Sequence, residues 1–297
     1  MTMTTTAAAE SEAVDQPLTP AGRLMLQPRM DQVINAAIAL EHSFDVDTCL
    51  NGLRNSLLVK HPRFRSLYVR DERGNEYWRR TEMDLDRHVI VHPRRLSEDV
   101  SVSDSDAVND FLADLSVSSP LATDKPLWEV HALLAHKAVV FRFHHALGDG
   151  ISLMSLLLDC CRRADDPATA PSITASPPPK RRPRSLWTFF LVVWYTAVSA
   201  FEFFARLLWL RDETTVISGG DGVELWPRRL ATARFRLEDM KIVKSAVDNA
   251  TINDVLFGVI SLGLSRYLHM TSPKALREGL QLTGMALVNL RSQSGLQ

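Results

Sequence analysis

Cysteine is scarce, net charge is close to zero, and no apolar leader opens the chain. The three cysteines, Cys49 and the adjacent pair Cys160 and Cys161, show neither the even count nor the spacing of a disulfide framework or a zinc knuckle, which points to a reducing compartment. A formal charge of −1 supplies no global field that would gather nucleic acid, so no nucleic-acid partner is expected. The first sixteen residues, MTMTTTAAAESEAVDQ, lack the apolar core of a secretory signal and carry acids where an organellar transit peptide carries arginine. Residues 1–16 are therefore expected to form a disordered tail.

What remains is ample for a packed protein. With 297 residues, 45% of them hydrophobic, the chain can bury a real core as one large or two ordinary domains. Residues 17–164 read as one α/β unit. Residues 165–185 form a proline-rich basic linker, DDPATAPSITASPPPKRRPRS, whose three consecutive prolines hold the backbone extended. Residues 186–211 contain LWTFFLVVWYTAVSAFEFFARLLWL, the most hydrophobic stretch and long enough to reach across a bilayer. Residues 212–297 return to soluble patterning, with a helix expected from about Thr251 to Leu268 and a short apolar strand near Leu287. No internal repeat is visible.

Within the first unit, DQVINAAIALEHSF has a helical apolar rhythm, and DTCLNGLRNSLLVKHPRF reads as a second helix stopped by Pro62. LWEVHALL and AVVFRFHH are β-rich runs separated by Ala135, His136 and Lys137, which predicts an antiparallel hairpin. Alternation along the second run places Val139, Phe141, Phe143 and His145 on one face and Arg142 and His144 on the other. The stretch HHALGDGISLM follows. A histidine ending the aromatic face meets a low-dielectric wall that favours neutral imidazole, so His145 is the expected proton acceptor. Gly148 and Gly150 are expected to let the chain turn sharply, and Asp149 to sit at the positive end of the following helix. Adjacent side chains that diverge along a strand argue against a metal site.

The HHALGDG sequence resembles the HHxxxDG motif of acyl-CoA-dependent acyltransferases related to chloramphenicol acetyltransferase. LTPAGRLML, HPRFRS, the PLW element (Pro126, Leu127, Trp128), HHALGDGISLMSLLLDCCRR, TINDVLFG with its ND element (Asn253, Asp254), and LVNLRSQSGLQ narrow the resemblance to plant wax ester synthase/diacylglycerol acyltransferases. It runs in order from about Pro17 to the last residue. It implies an α/β, chloramphenicol acetyltransferase-like fold of two subdomains with a tunnel between them, the second incomplete because the chain stops at Gln297. It further implies acyl-CoA as co-substrate without another cofactor, and a long-chain alcohol or diacylglycerol as acceptor.

An alcohol attacks a thioester well only if a base removes its proton as the bond forms, the role expected of His145. The resemblance groups His144, Asp149 and Gly150 with it. It implies that Asp149 pairs with Arg291, and that Asn253 and Asp254 position substrate or support the oxyanion. TIND also makes a helix start, with Thr251 as N-cap and Asp254 three residues on. Trp128 is expected to line the core or an acyl tunnel. The alternative to an active enzyme is a truncated, inactive homologue that acts as partner or regulator of a full-length acyltransferase.

Lys180, Arg181, Arg182 and Arg184 precede the apolar stretch, while Glu202 and Arg206 lie one helical turn apart and can pair. Only seventeen uncharged residues, Ser185 to Phe201, remain, a marginal length for a crossing. The expectation is a helix lying in the cytosolic leaflet of the endoplasmic reticulum or plasma membrane, with the basic run on anionic lipid. A single-pass anchor is the alternative.

Overall fold

The computed structural model describes residues 15–28, 30–167, 171, 186–208, 212–220, 222–223, 226–248, 250–273 and 279–284. They fall into two compact units, one made of the described residues up to 171 together with 226–231, the other of those within 186–223 and 232–284.

The first unit is α/β. Its elements in chain order are β1 (Gln16–Pro17), α1 (Pro20–Met25), β2 (Val33–Ala39), α2 (Val46–Asn55), α3 (Leu57–Lys60), β3 (Ser66–Arg70), β4 (Glu76–Arg80), β5 (Val89–His92), α4 (Asp104–Ser118), β6 (Trp128–Leu133), β7 (Ala138–His144) and α5 (Gly150–Asp159). A mixed sheet has the order β2-β7-β6-β5, and a smaller sheet the order β1-β4-β3. β7 is antiparallel to both neighbours, whereas β5 runs parallel to β6.

The expected β6–β7 hairpin is present, with Leu133 opposite Ala138 and Trp128 opposite Phe143. Its connection lacks glycine, and Lys137 takes the left-handed conformation instead, at φ 47°. This is an unfavourable region for a side chain with a Cβ. The return is held by Lys137 N–H donating to Leu134 O at 3.2 Å and Leu40 N–H donating to Lys137 O at 2.7 Å.

Three expectations are corrected. The segment VINAAIA is a strand: all seven residues of β2 pair with β7, from Val33 opposite His144 to Ala39 opposite Ala138. Apolar residues at nearly every position fit a helix or a strand, and pairing with a distant partner decides between them. The second segment breaks at Ser56 into α2 and α3 before Pro62 opens a short 3₁₀ turn. Order in the described chain begins before residue 17, since Asp15 pairs with Arg79 at 2.8 Å and Gln16 lies opposite Trp78 in the small sheet. The hairpin of β3 and β4 was not anticipated. Its signal was the DERGN turn, where Asp71 accepts from the backbone N–H groups of Arg73 and Asn75 and Gly74 adopts φ 82°.

Leu58, Phe64, Trp128, Phe143 and Leu147 form the centre of the main core and are at most 1% exposed. Each large apolar side chain so removed from water contributes about 1.5–3 kcal/mol before chain entropy is counted. Phe64 packs edge-on against Phe143, with ring centroids 5.7 Å apart.

The second unit contains α6 (Leu186–Leu208), α7 (Leu237–Ser245) and α8 (Ile252–Thr271). α8 starts close to where its pattern predicted and runs three residues further. Most of the linker, the expected strand near Leu287, and Arg291 lie outside the described residues.

Candidate active site

Two neighbouring histidines close the central strand, and their surroundings differ. His144 is buried, 2% exposed. Its Nδ1 accepts from Ala146 N–H at 3.1 Å, which places the proton on Nε2, where it donates to Asp31 Oδ1 at 3.0 Å. Burial holds the His144 imidazole below its usual pKa, although the Asp31 carboxylate works the other way. His144 is thus a neutral tie between the strand end, the turn after it, and the segment leading into β2.

His145 has the opposite situation. Its backbone N–H continues the ladder to Gln32 O at 2.8 Å. Its ring is half-buried and makes no hydrogen bond among the described residues. The expected assignment of desolvation is thereby corrected, because the buried imidazole is His144 and not His145. The strand's alternation holds up to that point: Val139, Phe141 and Phe143 face the main core, while Arg142 turns to the other side.

The chain leaves the strand through ordinary dihedrals. Leu147 N–H donates to His144 O at 3.0 Å, and neither Gly148 nor Gly150 has a positive φ. The expected need for glycine in this turn is therefore not met. At Gly150 an added Cβ would meet no neighbour among the described residues. Asp149 caps α5, its Oδ1 accepting from Ser152 N–H at 2.9 Å. α1 approaches the same turn: Thr19 caps it by accepting from Gly22 N–H, and a Cβ on buried Gly22 would stand 3.7 Å from Ala146 O.

A charged network that sequence reading missed braces β7 just ahead of the histidines. Arg142, 2% exposed, donates to Glu129 Oε2 at 2.8 Å, Asn35 Oδ1 at 3.1 Å and Leu115 O at 3.3 Å, and also to Ser119 O. Lys125 Nζ reaches Glu129 Oε1 at 2.9 Å and Arg87 O at 2.5 Å. His131 Nε2 stands 3.5 Å from Glu129 Oε2, an electrostatic contact without hydrogen-bond geometry. Burial works to raise the Glu129 carboxyl, but contacts with His131 and Lys125 and the charges of Lys125 and Arg142 outweigh it, holding it at about 2.

The other expected site residues lie elsewhere. Trp128 is fully buried, donates from Nε1 to Phe64 O at 3.0 Å and stacks on His88 with centroids 4.1 Å apart. It is a core residue, the first of the two places expected for it, and it offers no surface to a substrate. Asp254 belongs to a capping box: its carboxylate accepts from Thr251 N–H at 2.7 Å while Thr251 Oγ1 accepts from Asp254 N–H at 3.3 Å. This is the helix start that the TIND sequence also offered. Asn253 is exposed in the first turn of α8. Among the described residues no three His, Cys, Asp or Glu side chains converge as ligands for a metal ion.

Comparison with known proteins matches residues 29–202 to the wax ester synthase/diacylglycerol acyltransferase catalytic domain. Wax ester synthase/diacylglycerol acyltransferase 5 of Arabidopsis thaliana is 33% identical over 333 residues, covering 99% of this chain and 64% of that protein. The Arabidopsis protein numbered 2 is 32% identical, covering 95% of this chain and 62% of its own length. The chain thus spans somewhat under two thirds of these relatives. The wax ester synthase/diacylglycerol acyltransferase from Marinobacter aquaeolei VT8 superposes with a TM-score of 0.34 at 20% identity, over 47% of this chain and 35% of that one. The HHALGDG turn lies inside the matched catalytic domain, and the curated relatives cover almost the whole sequence, so this chain belongs to the wax ester synthase/diacylglycerol acyltransferase family.

Proposed function

We propose that the chain carries the site of an acyl-CoA-dependent O-acyltransferase that esterifies a long-chain alcohol or diacylglycerol, within a two-subdomain chloramphenicol acetyltransferase-like architecture. The observation that carries the reading is the division of labour between the histidines. His144 has both ring nitrogens occupied, whereas His145 presents a ring with no bonded partner among the described residues.

In the reaction, His145 accepts the hydroxyl proton as the acceptor oxygen attacks the thioester carbonyl, a step worth roughly 10²–10⁴ in rate. The tetrahedral oxyanion then collapses and expels the coenzyme A thiolate, which needs no separate acid. Asn253 is the candidate donor to the oxyanion. Among the described residues nothing crowds Gly150 at the mouth of α5. Asp149, already a helix cap, would pair with Arg291.

Membrane attachment belongs to the same reading. The segment Trp187–Arg206 is long and apolar enough to cross a membrane, and none of it is buried. A largely apolar helix with its side chains exposed among the described residues suits lipid as its surroundings. We place it in the cytosolic leaflet of the endoplasmic reticulum, where the acceptor dissolves.

The decisive assay supplies labelled acyl-CoA with hexadecanol or diacylglycerol to the full chain and resolves the esters by chromatography. His145→Ala should lower turnover by roughly 10²–10⁴ with unchanged circular dichroism, and His144→Ala should retain measurable turnover. Equal loss from both substitutions overturns the assignment of the base. No ester with either acceptor overturns the enzyme reading.

A further inference from the structure

A concavity in the first unit is unused by this chemistry. Cys49, Gly52 and Leu53 of α2 stand over Val130, Val139 and Phe141 of the sheet and border a cavity of about 360 Å³. That volume falls within the range of small-molecule pockets, roughly 300–1,000 Å³. Its walls are almost entirely aliphatic and aromatic, apart from thiols. All three cysteines of the chain line it, Cys49 from α2 and Cys160 and Cys161 from just past α5.

Specific contacts bring them there. The Asp159 carboxylate accepts from Leu57 N–H at 2.7 Å, which ties the end of α5 to the break between α2 and α3. Cys160 and Cys161 follow at once. The three thiols are not equivalent. Burial raises Cys49 and Cys160, keeping them in the poorly nucleophilic protonated form. Cys161, like Cys49, is exposed, with its Sγ 3.6 Å from Leu157 O near the end of α5, and the next residue, Arg162, folds its guanidinium back onto the carbonyl oxygens of Cys161 at 2.7 Å and Asp159 at 2.8 Å.

We propose that Cys161 is an S-acylation site whose acyl chain lies in this cavity. The Cys161 thiolate attacks the carbonyl carbon of a long-chain fatty acyl-CoA, and the new carbon–sulfur bond forms as the bond to the coenzyme A sulfur breaks. Coenzyme A leaves as a thiolate and takes up the proton lost by Cys161. One thioester replaces another, so no oxidant or energy source is required. The apolar walls hold the chain and the exposed rim holds the nucleophile. Attachment at Cys161 does not use His145, so it stands apart from ester synthesis.

The test incubates the full chain with palmitoyl-CoA and reads intact mass, peptide mapping and release by neutral hydroxylamine. One palmitoyl group should appear on the peptide containing Cys161, be lost in Cys161→Ser, and be released by hydroxylamine. Gly52→Leu, which adds a side chain at a cavity-lining position where a Cβ meets no neighbour, should slow labelling, whereas His145→Ala should label like the native chain. Label on Cys49 or Cys160, equal labelling of urea-unfolded protein, or loss of label in His145→Ala would each overturn the proposal.

Discussion

In the first unit Leu58, Phe64, Trp128, Phe143 and Leu147 are removed from water almost completely, whereas in the second Leu268 is the one hydrophobic side chain buried to a similar degree among the described residues. Phe203, Phe257, Ile260 and Met270 remain exposed there. Apolar composition alone does not explain this contrast, since α6 is richer in large apolar residues than any helix of the first unit. The difference lies in what each element faces. Strands β2, β7 and β6 offer neighbouring elements a flat surface on each side, and α5 and the aromatic residues fill one of them. α6 and α8 expose apolar side chains in several directions, which no single neighbour covers. The second unit's described residues therefore carry surface suited to lipid or to further protein, and the first unit holds its site on a core of its own.

Breaking that comparison from the strong side should give the largest effect. Arg142→Ala leaves the Glu129 carboxylate buried with only Lys125 and the His131 ring beside it, and should cost the first unit roughly 3–5 kcal/mol, measured as a lowered urea midpoint for loss of its near-ultraviolet circular dichroism. An unchanged midpoint would mean that the charged network contributes no rigidity to β7.

Acid should sharpen the contrast next. Burial lowers the His88 imidazole to about 4, despite the Trp128 carbonyl bonded to it. In the unfolded chain a histidine titrates near 6.5, so the unfolded state gains the proton first as pH falls. The stability held at neutral pH is lost between about 6.5 and 4, by roughly 3 kcal/mol for this group. Glu129, held at about 2, adds a loss at lower pH, below the ordinary carboxylate range. Thermal melts at successive pH values should show the first unit weakening below pH 6.5, with His88→Phe flattening the upper part of that slope. A slope unaltered by the substitution would assign the acid sensitivity elsewhere.

The smallest stability effect is expected in α6. Replacing exposed Trp194 and Phe203 by serine should change the urea midpoint of the first unit by no more than about 0.5 kcal/mol, while weakening flotation with anionic vesicles. Flotation equal to that of the native chain would remove lipid as the cover for this helix.

Those differences also mark what could be read from the residues. The β6–β7 hairpin was legible because two β-rich runs flank a connection too short for anything but a hairpin. α8 was legible because Thr251 and Asp254 announce its start. β2 was misread because VINAAIA is short, alanine-rich and apolar throughout, and only its ladder with β7 makes it a strand. The two histidines were legible as a pair, but their environments were not. Asp31 carries no local sign that it will bond His144, and Arg142 and Glu129 reveal their pairing only when β6 and β7 are aligned. Trp128 was legible as a packing residue, but no pattern in the sequence says whether a strand tryptophan ends on a tunnel wall or in the core.

The bond between Asp31 and His144 joins residues 113 positions apart, and the strand that carries His144 pairs along its whole length with β2. Contacts of such separation are slow to form, because the chain entropy of closing the loop is lost before the contacts return it. On the ribosome, where synthesis proceeds at roughly 5–20 residues per second, β2 must wait several seconds for its partner to emerge. During that interval β2 is an unpaired, largely apolar segment, a natural place for a chaperone to act. The histidine turn then takes shape as β7 docks, so appearance of the site and completion of the sheet are one event in the life of the nascent chain.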